Sequence, residues 1–313
     1  VFAVFAVLIA LFYGNTLWNG FLGDDYGHIV GNPHVRSLAS IPRAFFSCQS
    51  PTGCYENSLY YRPVPFLSAI FISQISSAPW IFHLCNALYY FILVSLVFVL
   101  VRSLMKDFLV AFIAAILFLV HPIHSEAINP VSAVSEIGFA LFVVLAMVLY
   151  VRYRKSGNPW TLATVYGAYF FALLSKELGI LLVPALFLLD ALFLKVPLRA
   201  FLQRDAAKRY LLFAVPTLVY FFLRRAALGE SSISTFGGFN VIERLYAFFT
   251  FFAQYLIKTF YPHPLSNYYS FEGSGSFFHF VFLGSLALGV AFAGAIFALL
   301  YTRRTQLAFW LIW

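Results

Sequence analysis

The chain has 313 residues, 62% of them hydrophobic and 10% charged, with a mean hydropathy of +0.86. An ordinary soluble domain is about 45–50% apolar and about a quarter charged, so a soluble globular fold is excluded and a bilayer is the solvent that accepts this surface. The net charge of +8 does not mark a nucleic-acid binder, because the basic residues gather in short loops between apolar runs, where they set topology and meet anionic headgroups.

A spanning helix needs about 20 mostly apolar residues. In chain order the candidate spans are Val1 to Trp18, Trp80 to Leu104, Phe108 to Val120, Ile137 to Val151, Trp160 to Leu174, Leu178 to Leu194, Tyr210 to Leu223 and His279 to Tyr301, with another opening near Leu307. The first run has no basic leader and no small-residue cleavage site, so it reads as a span and not as a cleaved signal. The loops carrying Arg102 and Lys106, then Arg152, Arg154 and Lys155, then Lys195, Arg199, Arg204, Lys208 and Arg209 are basic and are placed in the cytoplasm. The outer loops are then Gly20 to Pro79, His121 to Glu136, Ser175 to Glu177 and Gly229 to Asn240. Leu245 to Phe260, with Gln254 and Lys258, breaks the alternation and reads as an interfacial or re-entrant helix, a full span being the alternative. The long first outer loop contains Pro33, Pro42, Pro51, Pro63 and Pro65 and is expected to form short helices on the membrane surface. The expected fold is an all-α polytopic membrane protein, one transmembrane domain over residues 1–313.

Charged residues near membrane depth are costly and functional by default. Asp24 and Asp25 follow the first span. A carboxylate there serves as a general base, as a metal ligand or as a helix cap, and adjacent residues point in different directions, so one of the two would act. Arg62, in Tyr60-Tyr61-Arg62-Pro63, suits a phosphate through paired hydrogen bonds, or a lipid headgroup at the interface. His121, His124 and Glu126 form a loose metal-ligand pattern, or anchor a helix end. Glu136 opens the next span. Lys176 and Glu177 sit between apolar runs and must pair with each other or face a wet cavity, where the lysine suits an anion. His263 lies in Tyr261-Pro262-His263-Pro264, a rigid aromatic stretch with Tyr268 and Tyr269 close behind, suited to packing or to sugar contacts. Cys48 and Cys54 flank a short polar turn and are expected to form a disulfide if that loop faces an oxidising compartment. Cys85, within an apolar run, is expected to be inert.

Five stretches occur in a telling order: Gly-Asp-Asp-Tyr-Gly-His at 23–28, Tyr-Arg-Pro-Val at 61–64, Phe-His-Leu-Cys-Asn-Ala-Leu at 82–88, His-Pro-Ile-His-Ser-Glu-Ala at 121–127 and Leu-Leu-Ser-Lys-Glu at 173–177. From Phe21 to about Tyr269 the chain resembles the membrane region of the transmembrane-and-tetratricopeptide O-mannosyltransferases and their prokaryotic relatives, within the GT-C class of glycosyltransferases. The resemblance implies a GT-C-like helical bundle with surface helices in the first outer loop. It implies inverting transfer of a sugar, mannose by analogy, from a polyprenyl-phosphate donor to a hydroxyl of a protein, lipid or glycan acceptor on the extracytoplasmic face. The base would be Asp24 or Asp25, with Asp25 slightly favoured. Arg62 and Lys176 would hold the donor phosphate, and Tyr61, His121, His124, Glu126, Glu136, Glu177 and His263 would line the pocket. No cofactor is required on this reading, although the histidines leave room for a divalent cation. Relatives carry an arginine where this chain has Ala133-Val134-Ser135-Glu136, so donor or acceptor preference is expected to differ. The tetratricopeptide repeats of such relatives fall outside these residues. A ligase for whole lipid-linked glycans and a transporter or flippase for an anionic lipid are the alternatives.

Overall fold

The computed structural model describes residues 1–47, 60–229, 241–266 and 276–312, so the expected Cys48–Cys54 pair, Tyr268 and Tyr269 lie outside the described residues. Every regular element among the described residues is helical, as lipid requires of open chains that cannot leave backbone groups unpaired. The order is α1 (Phe2–Tyr13), α2 (Ile41–Phe46), α3 (Pro63–Ile75), α4 (Pro79–Met105), α5 (Phe108–Val120), α6 (Ser125–Ile128), α7 (Val134–Ser156), α8 (Pro159–Ser175), α9 (Leu182–Leu188), α10 (Arg204–Leu211), α11 (Ala214–Leu228), α12 (Val241–Phe260), α13 (Ser276–Tyr301) and α14 (Thr305–Ile312).

Among the described residues, Pro79–Met105, Val131–Ser156, Arg204–Leu228 and Phe282–Tyr301 are long and apolar enough to cross a membrane. A further span arises if α5 and Pro122–Ile128, bent by 51°, act as one. Pro122 forces that bend, since it lacks an N–H and clashes with a continuing helix. The carbonyls freed at the break are taken by tyrosines. Tyr90 donates to the Leu119 carbonyl at 3.0 Å and Tyr13 to the same carbonyl at 3.1 Å. The first outer loop does contain short helices, including 3-10 turns at Pro33–Arg36 and Leu38–Ser40. Its longest helix, α3, is buried along much of one face, with Phe66, Ile70 and Ile72 in the core.

The chain packs as two compact units: Val1–Leu186 with Arg204–Ile233, and Phe187–Gln203 with Ser234–Trp313. In the first unit α7 packs on α8 and α4, α4 on α5 and α1, and α3 on α7 and α8. In the second, α12 packs on α13 through Phe252 and Phe292, 5.6 Å apart, and α13 on α14. Leu245 to Phe260 lies within one continuous helix, α12. The candidate span Leu178 to Leu194 is helical in three contiguous pieces, not one regular α-helix. The chain there makes a 3-10 turn, Glu177–Leu181, then α9, then a π-helical turn at Leu189–Phe193.

Gly179 explains the tight start of that segment. It sits against the end of α8, where a Cβ would meet the Leu173 nitrogen at 2.7 Å and the Ala172 carbonyl carbon at 2.8 Å. Those neighbours are backbone and cannot swing away. Gly179→Ala is expected to lower stability by roughly 1–3 kcal/mol, read as a lower melting temperature in detergent. Gly167→Ala, facing open space inside α8, is expected to leave it unchanged or raise it slightly.

Candidate active site

The polar residues of the first unit gather where α3 and α7 begin and α8 ends. Asp25 has none of its surface exposed. Its Oδ1 accepts from the Ser132 N–H at 2.7 Å, and its Oδ2 from Leu22 at 3.0 Å and Val131 at 3.3 Å. Asp24, one residue earlier, is exposed. The two carboxylates thus differ in kind: Asp25 is engaged by three backbone donors inside the protein, and Asp24 faces solvent. Of the two candidate bases, Asp24 is the one open to an incoming acceptor.

Lys176 and Glu177 do not pair with each other. Lys176 has an extended backbone, with φ −158° and ψ 141°, and neighbouring residues on extended chain point to opposite sides. Lys176 donates to both oxygens of Glu136, at 2.5 and 2.6 Å. Glu177 accepts from Arg62 at 3.3 Å. Arg62 also donates to the Ser135 hydroxyl at 3.4 Å and lies over the Tyr60 ring, 4.4 Å from its centre. Both candidate phosphate-binding cations are therefore held by glutamates on neighbouring elements, while Glu136 and Glu177 keep about two-fifths of their side chains exposed. Burial pushes the Glu177 carboxyl upward, but its own backbone N–H and the Arg62 and Arg224 guanidinium groups outweigh it and hold the group below its ordinary value.

Tyr61 is buried, donates to the Phe45 carbonyl at 2.9 Å and packs on Tyr220 of α11. Burial, then the neighbouring Tyr220, pushes its phenol upward, so it stays protonated. Glu126 lies within electrostatic reach of Glu136 and Lys176. His121 and His124 go elsewhere. His121 Nδ1 accepts from the Ile123 N–H at 3.2 Å, and His124 Nδ1 meets the Tyr90 hydroxyl at 2.8 Å while its ring rests on Phe118. They anchor the bend after α5. Among the described residues no group of three or more His, Cys, Asp or Glu is placed to hold a metal ion, so His121, His124 and Glu126 are not brought together as a ligand set. His263 belongs to the second unit, beside Tyr261.

The structure adds residues to which the sequence reading gave no role. His28 lies four residues after Asp24 on one helical turn, and Asp24, Asp25 and Arg62 all act on it electrostatically. Burial lowers its affinity for a proton, against the pull of the two aspartates. Its ring lines a cavity of about 20 Å³ with Ser68, Asn86 and Ser132, room for one water. Asn86 donates to the Pro130 carbonyl at 3.1 Å. Arg224 of α11 acts on Glu177 and donates to Tyr220 at 3.5 Å. Its signal was present in the sequence: Arg224-Arg225 sits at the outer end of an apolar run, against the positive-inside bias.

Removing the Asp25 charge leaves buried N–H groups without an anionic acceptor. Asp25→Ala is expected to cost about 2 kcal/mol or more and to lower the melting temperature in detergent, while Asp24→Asn leaves it unchanged. The Arg62–Glu177 pair is expected to be weak, with a coupling below about 1 kcal/mol in a double-mutant cycle with Arg62→Gln and Glu177→Gln, because water screens it. The Glu177 pKa is depressed, so the pair's contribution is complete above the unfolded value of about 4.3 and is lost as pH falls through the lower folded value. The same coupling at pH 7 and pH 5.5 is the expected result.

No protein-family model matches the chain, and no solved structure matches it. It is 30% identical to the protein O-mannosyl-transferase TMTC1 of Mus musculus over 184 residues, 56% of this chain and 19% of that protein. It is 31% identical over 183 residues to the protein O-mannosyl-transferase TMTC3 of Mus musculus, covering 56% and 20%, and 32% identical over 192 residues to the protein O-mannosyl-transferase Tmtc2 of Drosophila melanogaster, covering 58% and 20%. The chain spans about a fifth of the length of these curated relatives. Over more than half of its own length it is similar to the protein O-mannosyl-transferases that its motif order resembles.

Proposed function

We propose that this chain carries the membrane region of a glycosyltransferase that moves mannose from a polyprenyl-phosphate donor to a protein hydroxyl, with inversion. The observation that carries the reading is the row of groups running from exposed Asp24 through His28 to Arg62–Glu177, with Lys176–Glu136 alongside. In the reaction Asp24 accepts the proton of the acceptor hydroxyl. The oxygen forms a bond to the anomeric carbon from the face opposite the phosphate. The bond from that carbon to the phosphate oxygen breaks, and polyprenyl phosphate leaves with the electron pair. Arg62 and Lys176, held in place by their glutamates, stabilise the charge that grows on the leaving phosphate. Arg224 adds to the local positive field. The reaction written this way balances without a metal or cofactor.

Leu178, Ile180 and Leu181 follow Glu177 directly and are exposed apolar side chains. They offer a prenyl chain a surface beside the phosphate-binding pair. The extracytoplasmic placement is supported by α7 and α8. The basic Arg154 and Lys155 lie in the last turn of α7, at the end away from Glu136, and α8 runs back from there to Lys176.

The test is transfer from labelled polyprenyl-phosphate mannose to protein acceptors, with and without a chelator. Asp24→Asn is expected to lower transfer by about 10²–10⁴-fold without changing the melting temperature, and Lys176→Gln to lower it as well. Full transfer by Asp24→Asn would move the base elsewhere. Loss with the chelator would bring in a divalent cation. Failure of the wild type with every lipid-linked sugar would sink the reading in favour of a transporter.

A further inference from the structure

The second unit contains a cavity that the proposed reaction does not use. It is an open cleft of about 320 Å³, lined by Lys195, Arg303, Arg304, Thr305, Gln306 and Leu307, with the three cations exposed at its rim. Half of these residues are cations and none is an acid. No ion pair links Lys195, Arg303 or Arg304 to a carboxylate among the described residues. Asp190 and Glu243, described acids of this unit, do not line the cavity. Like charges gathered on one cavity repel, and an anion relieves the repulsion while accepting their hydrogen bonds.

The backbone builds the other wall. After α13 the chain hooks: the Arg303 N–H closes on the Leu300 carbonyl at 3.0 Å and the Arg304 N–H on Leu299 at 2.8 Å. Arg303 takes a left-handed φ of 58° in that hook. The hook starts α14, whose first intrahelical closure is from Ala308 to Arg304, so the residues of its first turn are the ones that line the cavity. The first N–H groups of a helix have no partner within it. The Thr305 hydroxyl oxygen is buried there with no hydrogen-bond partner among the described residues. A cleft with three cations and a buried hydroxyl that have no partner among the described residues is complementary to a tetrahedral oxyanion.

We propose that this cavity binds a phosphate group, through Lys195, Arg303, Arg304 and Thr305. The phosphate comes either from the headgroup of an anionic phospholipid or from a soluble phosphate. Lys195 and the Arg303–Arg304 pair belong to basic segments of the kind that face the anionic cytoplasmic leaflet.

The experiment titrates the full chain, in neutral-detergent micelles, with short-chain phosphatidylglycerol, with inorganic phosphate and with short-chain phosphatidylcholine, following phosphorus-31 line broadening. Phosphatidylglycerol or inorganic phosphate is expected to bind more tightly than phosphatidylcholine. Binding of the lipid alone assigns the site to a headgroup, and equal binding of inorganic phosphate assigns it to a soluble phosphate. Lys195→Asn with Arg304→Gln is expected to weaken binding about tenfold or more, Asn being chosen because Lys195 has a φ of 56°. Arg152→Gln with Lys155→Gln removes the same charge from the basic end of α7 and is expected to change binding less than about twofold. If the cavity pair does not fold, Thr305→Val, which keeps the volume, is expected to weaken binding about threefold. Equal loss in both pairs, no effect of Thr305→Val, or no preference over phosphatidylcholine would overturn the proposal.

Discussion

A carboxylate with no exposed surface must find all its hydrogen bonds within the protein, or its burial costs more than folding can offset. Asp25 finds three backbone N–H donors, one from Leu22 in its own turn and two from Val131 and Ser132 just ahead of α7. That closure joins the first outer loop to the start of a spanning helix more than a hundred residues away in sequence. The site depends on it twice. With Asp25 turned inward, its neighbour Asp24 is left facing outward. With Val131 and Ser132 fixed, α7 begins at Val134 and presents Ser135 and Glu136 to Arg62 and Lys176. Asn86 supports the same turn from α4 by donating to the Pro130 carbonyl.

The second constraint is the exit from α8. Ser175, the last residue of α8, is buried and bonds back to the Phe171 carbonyl. The extended Lys176 then sends its own side chain to α7 and the next one to Arg62 at the head of α3. Two ion pairs thus tie three elements together around one short segment. Such half-exposed pairs contribute little to stability. Their effect is geometric, because a guanidinium or ammonium already held by a carboxylate needs less ordering when an anion arrives. Gly179 sets the depth of the segment, since only its missing Cβ lets the following 3-10 turn press on the backbone of α8.

The hydropathy pattern made much of the fold legible. Trp80 to Leu104 and Ile137 to Val151 fall inside α4 and α7, and Trp160 to Leu174 inside α8. The pattern placed a loop at Ser175 to Glu177 but missed the 3-10 turn that follows, because an apolar run does not reveal that Gly179 must approach another backbone. The order of short motifs gathered most of the site, but not its internal pairing. Whether Asp24 or Asp25 turns inward depends on N–H groups that come from residues 131 and 132, which no local spacing reveals. The pairing of Lys176 with Glu136 was hidden for the same reason. Spacing brought His121 and His124 together as ligands, while the fold spends the His124 ring on Tyr90 at the bend.

The length of α7 links the site to the membrane. Glu136 lies in its first turn and Arg154 in its last, 18 positions on, about 27 Å at 1.5 Å per residue. That is close to the hydrocarbon thickness of about 30 Å. The acidic end therefore reaches one interface when the basic end, closed by Gly157 at a φ of 66°, reaches the other. Under the proposed reaction a donor phosphate would meet Arg62 and Lys176 at that depth, with its polyprenyl chain in hydrocarbon against the exposed Leu178, Ile180 and Leu181. In that reaction such a surface has a use only for a lipid-linked donor, because a soluble sugar nucleotide has no chain to lay against it.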